Sequence, residues 1–198
     1  MGYDSIVLAS ASARRSQLLH QIGVRHEVVA ADIDESPQPG ERPADYVQRL
    51  AIWKSAAALE MLTIDKTAGA DGGVLVIGAD TAVIVDDEIL GKPAHDEDAG
   101  RMLRRLSGRS HRVLTGVSVR TAERQVAIVE ETLVFFRQLA EAEVGWYLAS
   151  GEGRDKAGAY AIQGLASRFI PRIEGSYSNV VGLPVARLSG LIGNLGLG

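Results

Sequence analysis

Cysteine is absent from the whole chain. Its absence removes disulfides, thiolate metal sites and a cysteine nucleophile together. No apolar run approaches the ~20 residues of a bilayer span. The N-terminus carries Asp4 where a secretory leader would be basic. These absences lead to the expectation of a soluble, unprocessed, cytoplasmic protein. Aromatic residues make up only 5% of the sequence, and 21 Lys and Arg stand against 25 Asp and Glu, a formal net charge of −4. That balance argues against a general nucleic-acid binder, which would carry a strongly basic face. What is present is ordinary for a folded protein: 198 residues, 46% hydrophobic and 23% charged. The length suits one large domain or two modest lobes with a proper core. Lys66-Thr67-Ala68-Gly69-Ala70-Asp71-Gly72-Gly73 is the stretch expected to form a flexible insert.

The stretch Leu8-Ala9-Ser10-Ala11-Ser12-Ala13-Arg14-Arg15 reads as the end of a strand, a loop and the first turn of a helix. Backbone N–H groups, the positive end of a helix dipole, serine hydroxyls and two guanidiniums gather there, a combination suited to an anion such as phosphate. The alternative is a plain helix start with solvated arginines. The strand is expected over Ser5–Ala9 and the helix over about Ala13–Ile22, closed by Gly23. A second strand is expected at His26–Ala30, followed by a loop carrying Asp32, Asp34 and Glu35. Those carboxylates suit Mg²⁺, which takes oxygen ligands together with substrate phosphates, or they form a solvated acidic turn.

Pro43 opens a long helix expected to reach about Leu62, with Val47, Leu50, Ala51, Lys54, Ala58 and Met61 on one stripe. A lysine on an apolar stripe either snorkels outward or points its ammonium at an anion. Val74–Ile77 and Ala82–Val85 read as strands flanking Gly78-Ala79-Asp80-Thr81. A carboxylate at the edge of a buried sheet needs a partner. Asp80 is either a turn former or a catalytic or metal-binding group, and nearby Thr81 and Lys92 favour the latter. Gly91-Lys92-Pro93 lacks the frame of a P-loop, although Lys92 still has the reach of a phosphate ligand. Asp96 is expected to cap a helix ending before Gly108, and two strands of an antiparallel hairpin, each with one buried face, follow at His111–Thr121 and Gln125–Phe136. Glu141–Leu148 reads as a short helix. Gly151–Lys156 begins like a dinucleotide fingerprint but has Lys156 in place of the third glycine. Asp155–Gly164 reads as a charged pair and a small-residue strand ending at Gln163, whose amide suits a base edge or an exposed loop. A last helix is expected from near Pro184.

Taken together, the stretches around Ser10, Arg14 and Arg15, Asp34-Glu35-Ser36, Tyr46–Ala51 with Lys54, Gly78–Thr81, Gly91–Pro93, Asp155–Gly164, and Gly175–Tyr177 with Val181–Pro184 resemble the Maf family of nucleotide pyrophosphatases in collinear order. The resemblance implies an α/β fold like that of the inosine-triphosphate pyrophosphatases, a mixed sheet flanked by helices. It further implies one domain over 1–198 with two lobes around a central cleft. It implies metal-dependent hydrolysis of a nucleoside triphosphate to the monophosphate and pyrophosphate, as a house-cleaning reaction. Thr81 and Gln163 resemble the subgroup acting on dTTP and UTP, with modified pyrimidine nucleotides in reach. The implied roles are Arg14, Arg15, Lys54 and Lys92 on the triphosphate, with Ser10 and Lys156 also binding substrate. Glu35 and Asp80 would hold Mg²⁺ or Mn²⁺, Asp80 would also activate water, and Gln163 would read the base. The implied partner is the nucleotide, with no nucleic acid or membrane, and a homodimer is expected at the family level. A non-catalytic nucleotide-binding regulator of septum formation is the alternative. Ala13 stands where the family usually has proline, and Trp53 where a polar residue is more usual.

Overall fold

The structure, a computed structural model, describes residues 5–65 and 73–194. The insert expected at Lys66–Gly73 therefore lies outside the described residues, except for Gly73. The chain separates into two compact units, one of residues 1–80, 115–130 and 182–198, the other of residues 81–114 and 131–181. A seven-stranded sheet runs in the order Glu27–Val28, Ser5–Ala9, Val74–Val85, Ser110–Arg120, Gln125–Phe135 and Arg172–Glu174, with Glu88–Leu90 also paired to Val74–Val85.

In the first unit β1 (Ser5–Ala9) lies parallel to both β2 (Glu27–Val28) and the start of β3 (Val74–Val85), with Leu8 opposite Ile77. Parallel strands are covered on both faces, which is why Val7, Leu8, Val76 and Ile77 form apolar runs and are all buried. Each such side chain contributes about 1.5–3 kcal/mol on burial. Helix α1 (Ala13–Gln21) follows β1, buries Leu18 and Leu19, and stops before Gly23, whose φ of +77° suits a residue without Cβ. β2 is two exposed residues rather than the five expected, with Val28 52% exposed.

Helix α2 (Pro43–Asp65) buries Val47, Leu50, Ala51 and Ala58 as its periodicity predicts. Met61 is exposed instead. The stripe passes through Leu62, four residues after Ala58, which packs with Leu59 on Val7, Ala9 and Val76. β3 is one continuous strand, not two flanking a turn, so Asp80 sits inside it. β5 (Ser110–Arg120) and β6 (Gln125–Phe135) are neighbours joined by a turn in which the Thr121 amide donates to the Arg124 carbonyl. β5 is buried on both faces, unlike the half-buried hairpin expected, and α2 covers it where Gly116 meets the Val47 carbonyl. α6 (Val185–Asn194) completes the unit with Leu188 buried.

In the second unit the end of β3 turns through Asp86 and Asp87, at φ of 52° and 62°, into antiparallel β4 (Glu88–Leu90). Two successive positive φ values match the twist of a tight hairpin, and aspartate tolerates them. Helix α3 (Asp96–Leu106) is capped by His95, whose Nδ1 accepts from the Asp98 amide, so Asp96 is its first residue rather than its cap. α4 (Glu141–Ser150) ends at Gly151, and α5 (Tyr177–Val181) follows β7 (Arg172–Glu174), which pairs antiparallel with β6. The small-residue strand expected before Gln163 is absent. Residues Ala157–Ala159 make a 3₁₀ turn with Gly158 and Ala159 left-handed, and Gly158 packs so closely on Val83 that a Cβ would come within 2.9 Å of it. The core is aromatic: His111, Phe136 and Tyr160 meet edge-to-face, and Phe169 contacts Phe136 and Tyr147.

Candidate active site

Two glycines let α2 lie unusually close to the sheet. A Cβ on Gly78 would stand 2.2 Å from the Ala51 carbonyl oxygen, and one on Gly116 2.2 Å from that of Val47. The geometry then propagates by simple periodicity. Asp80 lies two residues after Gly78 and so points to the same face of β3, while Lys54 lies three after Ala51 on the same face of α2. Lys54 Nζ accordingly donates to Asp80 Oδ1 at 2.6 Å, with both side chains about nine-tenths buried. Ser55, the next residue, bonds Ser118 of β5 at 3.0 Å and fixes the helix laterally.

The same ammonium lies 2.6 Å from Glu35 Oε1. Glu35 comes from the loop between β2 and α2 and is half-exposed, so the cluster is closed by the sheet on the Asp80 side and open to water at Glu35. Tyr46 donates its hydroxyl to the Glu35 carbonyl at 3.0 Å. Burial, and then the charges of Asp80 and Glu35, push the Tyr46 phenol up to about 12. It therefore remains a hydrogen-bond donor at neutral pH.

Arg15 turns inward from the first turn of α1. Its Nε donates to the Gly182 carbonyl at 2.8 Å and its Nη1 to Ser10 Oγ at 2.9 Å. Burial lowers its pKa; Asp80 opposes that shift, Arg14 adds to it, and Glu35 opposes it. Ser10, Arg14, Arg15, Glu35, Lys54 and Asp80 all belong to the first unit, which brings Lys54 against Asp80 and Glu35, and Arg15 against Ser10.

The other expected residues belong to the second unit. Thr81 is half-buried and Lys92 exposed, next to Gly91 whose carbonyl accepts from the Gly158 amide at 3.1 Å. Lys156 pairs with Asp155, and Gln163 is exposed. Gln163 is followed by Gly164, where a Cβ would strike the Glu152 carboxylate, and that carboxylate accepts from the Leu165 amide at 2.8 Å.

Two carboxylates converging on one cationic centre form a donor set that suits a hard divalent ion, which is held by one or two carboxylates plus substrate oxygens. Among the described residues no group of three or more His, Asp or Glu side chains is gathered as a metal cage. A cation here would fill its shell with phosphate oxygens and water.

Residues 5–195 match the family described as Maf-like protein. The chain belongs to the Maf family. Among its Maf relatives, a protein of Geobacter sp. (strain M21) named dTTP/UTP pyrophosphatase is 50% identical, over 98% of this chain and 100% of the relative. One of Photobacterium profundum with the same name is 47% identical over 98% of each. The Staphylococcus aureus Ham1 protein shares 16% identity at a TM-score of 0.44, covering 67% of this chain and 72% of the other, a likeness too loose to carry chemistry.

Sequence reasoning gave no role to Tyr46, Arg49 or Glu41, although the first two lie in a motif that carries the Maf resemblance. Their signal was available only in hindsight: a tyrosine and an arginine at three-residue spacing on α2, with an acidic residue just before the helix. Among the described residues no helix is long and apolar enough to cross a membrane.

Proposed function

We propose that this Maf protein hydrolyses dTTP and UTP to the monophosphate and pyrophosphate, with Asp80 as the base that activates water. One observation carries the reading: Lys54, nine-tenths buried, is held at 2.6 Å by both Asp80 and Glu35. Breaking the buried Lys54–Asp80 pair is strongly unfavourable, so that pair is set before substrate arrives. The names of the relatives supply the substrate class.

Lys54 engages one oxygen of each carboxylate, Oδ1 of Asp80 and Oε1 of Glu35. Asp80 takes a proton from the attacking water, the new P–O bond forms, and the α–β anhydride bridge breaks to release pyrophosphate. Lys54 holds the Asp80 carboxylate in orientation and, with Arg14 and Arg15, offsets charge on the phosphates. Arg15 is locked by Ser10 and Gly182, so its guanidinium needs no reorganisation. Glu35 and Asp80 are the residues to hold Mg²⁺ or Mn²⁺, which when bound neutralises phosphate charge. Lys92 and Lys156 are assigned to the phosphates, Thr81 and Gln163 to the base, on the resemblance. A single domain acting as a homodimer is the assembly the resemblance suggests.

The test is pyrophosphate release from a panel of canonical and modified nucleoside triphosphates, with and without added divalent metal. Metal-dependent turnover favouring dTTP and UTP is expected. Tight nucleotide binding without turnover would instead favour a regulatory, non-catalytic role.

A further inference from the structure

Glu35 is half-exposed and sits on a loop without regular structure, yet its carboxylate lies at hydrogen-bond distance from a buried ammonium. Such a loop needs an anchor, and the anchor is on α2. Arg49 forms a two-pronged pair with Glu41, its Nε and Nη2 each 2.6 Å from a carboxylate oxygen, and Nη2 also donates to the Ser36 carbonyl at 3.2 Å. The Glu41 carboxylate in turn accepts from the Gln38 amide at 3.0 Å, and Asp34 accepts from the Ser36 amide at 2.9 Å. Both side chains of the Arg49–Glu41 pair are largely buried. The Arg49 guanidinium carbon lies 4.6 Å from the centre of the Trp53 ring, one turn on, and 5.6 Å from that of Tyr46. Trp53 is 41% exposed, so its main partner here is the guanidinium it faces. Here its ring fixes the plane of the fork.

We propose that Arg49, held by Trp53, is the positioning residue that sets the Glu35 carboxylate against Lys54. Since α2 carries Arg49, Trp53 and Lys54, the loop is registered to the same helix that holds the ammonium. A lysine at 49 would keep the charge but lose the planar two-pronged grip on Glu41 and Ser36. The proposal rests on the reading of Glu35 as a ligand of the metal–nucleotide complex, and deepens it.

The test compares wild type with Arg49→Lys, Trp53→Leu, the double variant Arg49→Met with Glu41→Gln, which leaves no unpaired buried charge, and Glu35→Gln. Two quantities are read: deuterium uptake of the 33–41 backbone amides without ligand, and Mn²⁺ affinity by calorimetry with a dTTP analogue whose α–β bridge cannot be cleaved. Faster uptake over 33–41 is expected in Arg49→Lys and in the double variant. Their Mn²⁺ affinity should fall about 10–100-fold, as in Glu35→Gln, with Trp53→Leu intermediate. Wild-type affinity in the double variant beside a weakened Glu35→Gln overturns the positioning role and leaves Glu35 standing. Wild-type affinity in Glu35→Gln removes the reading of Glu35 itself, and with it this role for Arg49.

Discussion

Gly78 lies against Ala51 so closely that a Cβ would stand 2.2 Å from the Ala51 carbonyl oxygen and 2.8 Å from the Ser55 amide nitrogen. Main chain meets main chain here, and Lys54 reaches Asp80 because of it. Gly78→Ala is therefore expected to push α2 off β3. The stability loss should be about 1–3 kcal/mol, the usual result of overfilling a packed site. Turnover should fall further than the unfolded fraction accounts for, since the Lys54–Asp80 pair is displaced. Urea denaturation and steady-state kinetics on one preparation separate the two effects; full activity in a folded variant would mean that the close approach does not serve the site.

Much of this arrangement is visible in the sequence and some of it is not. The 3.6-residue stripe on α2 places Lys54 among core positions, and a carboxylate between apolar runs marks Asp80 as needing a partner; the structure supplies each with the other. The break expected at Gly78–Thr81 is missing because glycine here serves close packing and not a turn, two uses a sequence does not distinguish. The segment before Gln163 reads as a strand because small apolar residues suit one, yet Gly158 and Ala159 take left-handed backbone, with Gly158 against Val83. That choice is made by a contact distant in the chain. The Arg49–Glu41–Ser36 anchor is equally silent, since the sequence does not show that the loop folds back onto Arg49.

Gln163 is exposed on its loop, and its assignment to the base predicts a specificity change. An amide offers a donor and an acceptor, whereas a carboxylate offers only acceptors. Gln163→Glu should lower kcat/KM for dTTP and UTP at least tenfold relative to purine nucleotides, since a mismatched polar pair in a recognition site is heavily penalised. A competition assay reads the ratio directly, and an unchanged preference removes Gln163 from base reading.

His111 predicts a pH dependence of stability unrelated to catalysis. Its Nε2 is 2.8 Å from the Tyr160 hydroxyl, and among the described residues its buried Nδ1 has no partner. Burial, helped by the charge of Arg109, pushes its pKa down to about 3 from an ordinary 6.5. The folded protein therefore keeps His111 neutral while the unfolded chain takes up a proton below pH 6.5. Stability is fully present above that value and is lost as pH falls toward 3, by ~1.4 kcal/mol per pH unit from this group. Between pH 7 and pH 5 wild type should lose about 2 kcal/mol more than His111→Gln. Urea midpoints at the two pH values measure the difference, and parallel losses would show that His111 does not titrate on unfolding.

The proposed mechanism turns on Asp80, held by Lys54, as the group that activates the attacking water. The direct measurement is the rate of pyrophosphate release from dTTP by Asp80→Asn, at saturating nucleotide and metal, on protein whose circular dichroism and urea midpoint show it folded. A drop of about 10²–10⁴ in kcat is expected from loss of a general base. A folded Asp80→Asn protein turning over at the wild-type rate would take that role away from Asp80.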